Sequence, residues 1–132
     1  MAKIVFCEDN LITQKLIRAA LDTTPHEIEF ASNGSEGLKL IEQARPDIIF
    51  TDVHMDEMTG LELLSTVKAR EDLSNIPVIL MTASVQSSYL EEGYDKGAAD
   101  HIIKPFTVDD LRAKVEKFAS LLHQAAPKSQ TP

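Results

Sequence analysis

Asp47-Ile48-Ile49-Phe50-Thr51-Asp52 and Pro77-Val78-Ile79-Leu80-Met81-Thr82 are the stretches whose reading decides the fold. Neither alternates apolar with polar residues, and continuous runs of this kind are what strands buried on both faces of a parallel sheet look like. The strands within them read as Asp47–Thr51 and Pro77–Met81, and three more short segments with β-branched or aromatic residues read as strands: Lys3–Cys7, Glu27–Ala31 and His101–Ile103. Longer stretches with helical spacing separate them. The first starts at Asn10 as N-cap and puts Ile12, Leu16, Ile17, Ala20 and Leu21 on one face. The second follows the turn signal Ser32-Asn33-Gly34, buries Leu38, Leu40 and Ile41, and stops before Pro46. Gly60 opens the third, with Leu61, Leu64 and Val67 apolar. The fourth covers about Val85 to Lys96, interrupted by Gly93 and ended by Gly97. The fifth is the clearest, with Val108, Leu111, Val115, Phe118 and Leu122 spaced by three and four and Thr107 as N-cap. Five β–α pairs predict an α/β architecture, with crossover helices on both faces of a parallel sheet. The polar, aperiodic stretch 124–132 reads as a flexible C-terminal tail to a domain spanning 1–123.

The 132 residues are one domain's worth of chain. Thirteen Lys and Arg oppose twenty-one Asp and Glu, a formal net charge of −8. That balance argues against nucleic-acid binding, which needs clustered cations, and against an anionic membrane surface. Cys7 is the single cysteine and cannot close an intrachain disulfide. No apolar run approaches the roughly 18 residues of a membrane span, and an acidic pair at Glu8-Asp9 stands where a signal peptide would stay apolar. The expectation is a soluble, cytoplasmic protein.

Ligands of an open parallel sheet bind outside the carboxyl ends of its strands. Glu8 and Asp9 follow the first strand, Asp52 ends the third, Thr82 follows the fourth and Lys104 the fifth. Three carboxylates, a hydroxyl and an amine would therefore converge on one crevice. Crowded carboxylates need a compensating charge, and Mg²⁺ suits a site of one or two carboxylates plus a backbone carbonyl. One Asp is then a nucleophile able to carry an aspartyl-phosphate, with the amine and hydroxyl stabilising the transferred group. Singly, each residue has a plainer reading: a strand-end Asp as turn former, Thr82 bonded to local backbone, Lys104 as a solvated amine, Cys7 as a small buried hydrophobe. Joint placement at four strand ends is what favours a site.

These pieces resemble the receiver domains of two-component response regulators over about residues 3–122. The matching stretches are Val5-Phe6-Cys7-Glu8-Asp9-Asn10, Asp52-Val53-His54-Met55 with Gly60 eight residues after Asp52, Met81-Thr82-Ala83, and Gly97-Ala98-Ala99-Asp100 leading to Lys104-Pro105-Phe106. The steps of 30 residues from Asp52 to Thr82 and 22 from Thr82 to Lys104 also fit. The resemblance implies a flavodoxin-like, doubly wound five-stranded parallel sheet in the order 2-1-3-4-5 with five helices. It implies Asp52 as the modified residue and phosphoryl acceptor. Glu8, Asp9, the Asp52 carboxylate and the His54 backbone carbonyl are the implied Mg²⁺ ligands. Backbone N–H groups of His54 and Ala83 would contact the phosphoryl group, as would Lys104. Thr82 and His101 are the implied switch pair, and Lys104–Pro105 an implied cis bond.

Two positions depart from the family pattern. Asp56 stands where many receivers carry Pro, which removes a fixed φ and adds a carboxylate. His101 stands where Tyr or Phe is common, an imidazole that titrates near neutral pH; a surface His with no special role weighs about equally. The implied partners are a sensor histidine kinase or histidine phosphotransfer domain as donor. The implied downstream protein target sits on the helix 4, strand 5 and helix 5 face, about Val85 to Leu122. No enzymatic activity is expected beyond the domain's own phosphorylation and dephosphorylation. Alternatives are a module excised from a larger regulator or hybrid kinase, and an unphosphorylated scaffold. Two other classes fit worse. An Asp-nucleophile hydrolase of haloacid-dehalogenase type would need a second Asp where His54 stands, and an FMN site would not follow the acidic Glu8-Asp9 with its repulsion of phosphate.

Overall fold

The computed structural model describes residues 1–83 and 88–129, with side chains through Leu122. Five parallel strands form one sheet, β1 (Lys3–Cys7), β2 (Glu27–Ala31), β3 (Ile48–Asp52), β4 (Val78–Thr82) and β5 (Asp100–Ile103), in the spatial order β2-β1-β3-β4-β5. Five helices connect and cover them: α1 (Leu11–Leu21), α2 (Gly34–Ala44), α3 (Gly60–Ala69), α4 (Ser88–Asp95) and α5 (Val108–Ser129). This is the flavodoxin-like, doubly wound arrangement that the family resemblance implies, and the parallel sheet covered on both faces that the strand runs predict. Its order reverses between β1 and β3, and a crevice opens there at the carboxyl ends.

The unbroken apolar runs are explained by the two cores. Successive side chains of a strand point to opposite faces. Ile4, Phe6, Ile48, Phe50, Ile79 and Met81 pack on one face against Ile17, Leu21, Leu111, Val115 and Phe118 of α1 and α5. Val5, Cys7, Ile49, Val78 and Leu80 pack on the other against Ile41, Leu61, Leu64, Val67 and Leu90 of α2, α3 and α4. Phe6 stacks between Phe50 at 4.8 Å and Phe30 at 5.6 Å, tying three adjacent strands together.

Helix starts follow their capping residues. Asn10 and Asn33 accept from Thr13 N–H and Glu36 N–H. Thr59 and Glu62 form a reciprocal capping box, and Thr107 pairs with Asp110 in the same way. Strands three and four run one residue further along the chain than the sequence suggests. Pro77 has no N–H to donate, its carbonyl accepts from Ile49, and the fourth strand begins at Val78. Thr82, expected just after its strand, is therefore the last residue of it, as Asp52 is of the third.

Three helix expectations are corrected. Ile12, assigned to the apolar face of α1, is 79% exposed: it lies in the first turn, and the buried residues of this helix, Ile17, Ala20 and Leu21, lie further along it. The fourth helix is described from Ser88, and its expected start at Val85 lies outside the described residues. Gly93 does not interrupt it but lets it approach the sheet, since a Cβ there would sit 2.3 Å from Leu80 Cδ1. Gly97 ends it at φ +106°, as a C-terminal glycine should. Finally, α5 is described to Ser129, running into the stretch 124–132 that the sequence reading takes as tail; residues 130–132 lie outside the description.

Candidate functional site

Glu8 leaves β1 with every polar atom engaged. Its N–H donates to Ala31 O at 2.9 Å, and its carbonyl accepts from Gln14 Nε2 at 2.6 Å. Its carboxylate accepts from Asn10 N–H at 2.9 Å and from Lys104 Nζ at 2.8 Å. The side chain is fully buried. Lys104 Nζ also donates to Asp52 Oδ1 at 2.8 Å, so one ammonium joins the ends of β1, β3 and β5. The Lys104–Pro105 peptide that follows is cis. Asp9 is exposed, and one carboxylate oxygen each from Glu8, Asp9 and Asp52 lie within 4.8 Å of one another.

A cavity of about 260 Å³ opens over this group, lined among others by Asp9, Asp52, His54, Thr82, Ala83 and Lys104. Every residue singled out at the strand ends meets there or directly beneath it, as Glu8 does. The exception is His101, half-buried on β5, whose Nδ1 hydrogen-bonds the Tyr94 hydroxyl at 2.5 Å on α4. The His54 ring packs edge-on against Tyr89, with centroids 4.6 Å apart. Gly60, picked out only by its distance from Asp52, is needed for contact: a Cβ there would lie 1.9 Å from the Asp52 carbonyl oxygen. Asp56 is exposed, and the left-handed turn of its loop falls on Glu57, at φ 67°.

Burial and the neighbouring Glu8 carboxylate push Asp52 up to about 8, and Lys104 only partly offsets them. Burial also pushes Glu8 upward, but hydrogen bonds from Asp52, Lys104 and Asn10 N–H outweigh it and hold Glu8 below the ordinary carboxylate range. Lys104 is shifted upward: desolvation disfavours its charge, and its two carboxylate partners overcome that. Of the two, Glu8 is the carboxyl favoured to hold its charge against Lys104, and Asp52 the one favoured to hold a proton. The donor set consists entirely of hard oxygens, which fits Mg²⁺. Added positive charge would release the Asp52 proton.

Residues 4–116 match the family model of the response regulator receiver domain. The chain belongs to that family. Such receivers are signalling modules of two-component systems: they accept phosphoryl groups, bind Mg²⁺ in the acidic pocket and interact with histidine kinases or phosphotransfer proteins. This receiver is 30% identical over 119 residues to sporulation initiation phosphotransferase F of Bacillus subtilis, covering 90% of this chain and 94% of that one. It is 31% identical to the transcriptional regulatory protein CrdR of Helicobacter pylori, over 88% of this chain, and spans about half (54%) of CrdR's length. The solved chemotaxis response regulator CheY4 of Vibrio cholerae superposes with a TM-score of 0.84 at 28% identity, covering 89% of this chain and 98% of that one.

Sequence reasoning missed Asn10 N–H, Gln14, Tyr89 and Tyr94 as partners of site residues. Asn10 carried a signal, as the N-cap nearest the acidic pair. The other three had none, because their roles depend on where a helix surface meets a loop or strand. No described helix is long and apolar enough to cross a membrane.

Proposed function

We propose that this receiver takes a phosphoryl group onto Asp52 from a phosphohistidine of a sensor kinase or phosphotransfer domain, in the cytoplasm, with Mg²⁺. The carrying observation is the convergence of Lys104 Nζ on Glu8 and Asp52 at 2.8 Å each, beneath a cavity open to solvent. An Asp52 oxygen attacks phosphorus, the phosphorus–nitrogen bond to the donor imidazole breaks, and that nitrogen leaves with the bonding pair. Bound Mg²⁺ would supply charge for the phosphoryl oxygens. Asp9, Glu8, Asp52 and the His54 carbonyl are its proposed ligands. Lys104 moves from neutralising Asp52 to neutralising the phosphoryl oxygens, with backbone N–H groups of His54 and Ala83 as further donors.

Thr82 and His101 form the proposed switch, and the α4–β5–α5 face the proposed output surface. The Tyr94–His101 bond supports this reading, because it links residue 101 to α4. A population shift in that contact alters the face presented to a target.

Intact mass after incubation with Mg²⁺ and acetyl phosphate tests the acceptor. The expected result is a gain of about 80 Da, one phosphoryl group, in the wild type and none in Asp52→Asn. Equal labelling of both proteins would remove Asp52 from the role.

A further inference from the structure

Gln14 is not among the residues that line the cavity, yet its side chain makes one of the shortest contacts around it. Where β1 leaves the sheet, the Glu8 carbonyl has passed the last strand residue, Cys7. It accepts instead from Gln14 Nε2, 2.6 Å away on the first turn of α1. The Glu8 carbonyl and the Asp9 nitrogen belong to one planar peptide, so this bond sets the plane from which Asp9 departs. Among the described residues nothing restrains the Asp9 carboxylate comparably: it is the exposed member of the three-carboxylate group. Glu8, by contrast, is held from Asn10 and Lys104, and Asp52 from Lys104.

Gln14 is itself well anchored. Its N–H makes the first intrahelical bond of α1, to Asn10 O at 3.0 Å, and the side chain is half-buried. Asn10 N–H in turn donates to Glu8 Oε2 at 2.9 Å. The turn 8–14 is thus cross-braced twice, once at the Glu8 carboxylate and once at the Glu8 carbonyl. An amide also suits this place chemically: it donates to the carbonyl without adding positive charge beside a cation.

We infer that Gln14 is a positioning residue for the divalent cation, aiming the Asp9 carboxylate through the Glu8–Asp9 peptide. The inference rests on the metal reading given above and adds a residue to it. Groups that orient metal ligands change affinity more than they change the chemistry at the occupied site. Gln14→Met keeps length and bulk but loses the donor. Gln14→Asn keeps the amide but is one methylene too short, and serves if the Met variant folds poorly.

Two titrations with Mg²⁺ alone as the varied component test it: the rise in melting temperature, and the rate of labelling by acetyl phosphate. Both variants should need about tenfold more Mg²⁺ for half-maximal effect. Their labelling rate at saturating Mg²⁺ should stay within about twofold of wild type, since Asp52 and Lys104 are untouched. A lower melting temperature with an unchanged Mg²⁺ midpoint would make Gln14 a purely structural brace and overturn the inference. A wild type that neither gains stability from Mg²⁺ nor is labelled overturns the metal reading itself, and this inference with it.

Discussion

Lys104 stands between two buried carboxylates and keeps Glu8 ionised beside Asp52. Removing one partner of a buried ionic group leaves uncompensated charge, typically at a cost of about 3 kcal/mol or more. Lys104→Met should therefore destabilise the metal-free domain by about 3 kcal/mol at neutral pH. The loss should be smaller when Mg²⁺ is present, because the cation takes over part of the neutralisation. Urea unfolding with and without Mg²⁺ measures both; a variant as stable as wild type in metal-free buffer would mean that the contacts at 2.8 Å contribute little. Cys7 sits in the same wall but reads differently. It is fully buried, and burial pushes its thiol up to about 12, with the nearby Thr51 hydroxyl opposing that shift. Alkylation by iodoacetamide at pH 8 should thus proceed at the rate of opening or unfolding and accelerate sharply in denaturant. Fast alkylation in native buffer would contradict the packing.

At the scale of elements, α4 is the helix whose apolar pattern a glycine interrupts and whose packing needs that glycine. Its Gly93 faces Leu80 of β4 so closely that a methyl group would sit 2.3 Å from Leu80 Cδ1. Leu80 is itself fully buried in the α2–α3–α4 core. In an open helix interior, Gly→Ala gains up to about 1 kcal/mol; here overpacking should win, with a net loss of about 1–2 kcal/mol. The melting temperature of Gly93→Ala measures it, and an increase would show that α4 can lift away from the sheet freely. A sharper case is Gly60→Ala, where the obstacle is the backbone carbonyl of Asp52 at 1.9 Å rather than a flexible side chain. That variant should lose both stability and Asp52 labelling, because the strand end carrying the proposed acceptor must move.

For the whole molecule, the raised Asp52 links stability to pH in a definite direction. An unfolded Asp titrates near about 3.9, whereas the folded, metal-free protein holds this proton up to about pH 8. Between those values the folded state binds more protons than the unfolded state, so this contribution to stability falls as pH rises. It is fully present below about pH 4 and lost once the pH has passed about 8. Glu8, held below the ordinary range, acts in the opposite direction and only at more acidic pH. In metal-free buffer the wild type should lose stability relative to Asp52→Asn between pH 5 and pH 8. Saturating Mg²⁺ should flatten that difference. Parallel stability–pH curves for the two proteins in metal-free buffer would show that Asp52 is not the group titrating.

The five-stranded parallel sheet was legible in the sequence because runs such as Ile48-Ile49-Phe50 and Val78-Ile79-Leu80-Met81 are apolar on both sides of the chain. Only a sheet covered on both faces accommodates that pattern. The site was legible for a related reason: in such a sheet the ligand crevice lies at the strands' carboxyl ends, so residues 8, 9, 52, 82 and 104 could be gathered by position alone. Asn10 and Thr107 announced two helix starts as N-caps, since a cap is a local bond between residues three apart. Tertiary structure decided what no local pattern encodes. Whether Ile12 is buried depends on which turns of α1 the core reaches. The meaning of Gly93 and Gly60 depends on which atoms lie across the gap. Gln14 and Tyr94 meet partners six and seven residues away, and Tyr89 meets His54 on a distant loop, only once α1 and α4 are packed in place. The raised Asp52 likewise follows from three-dimensional crowding: a carboxylate's proton affinity answers to burial and to charges a few ångströms away, whatever their separation along the chain.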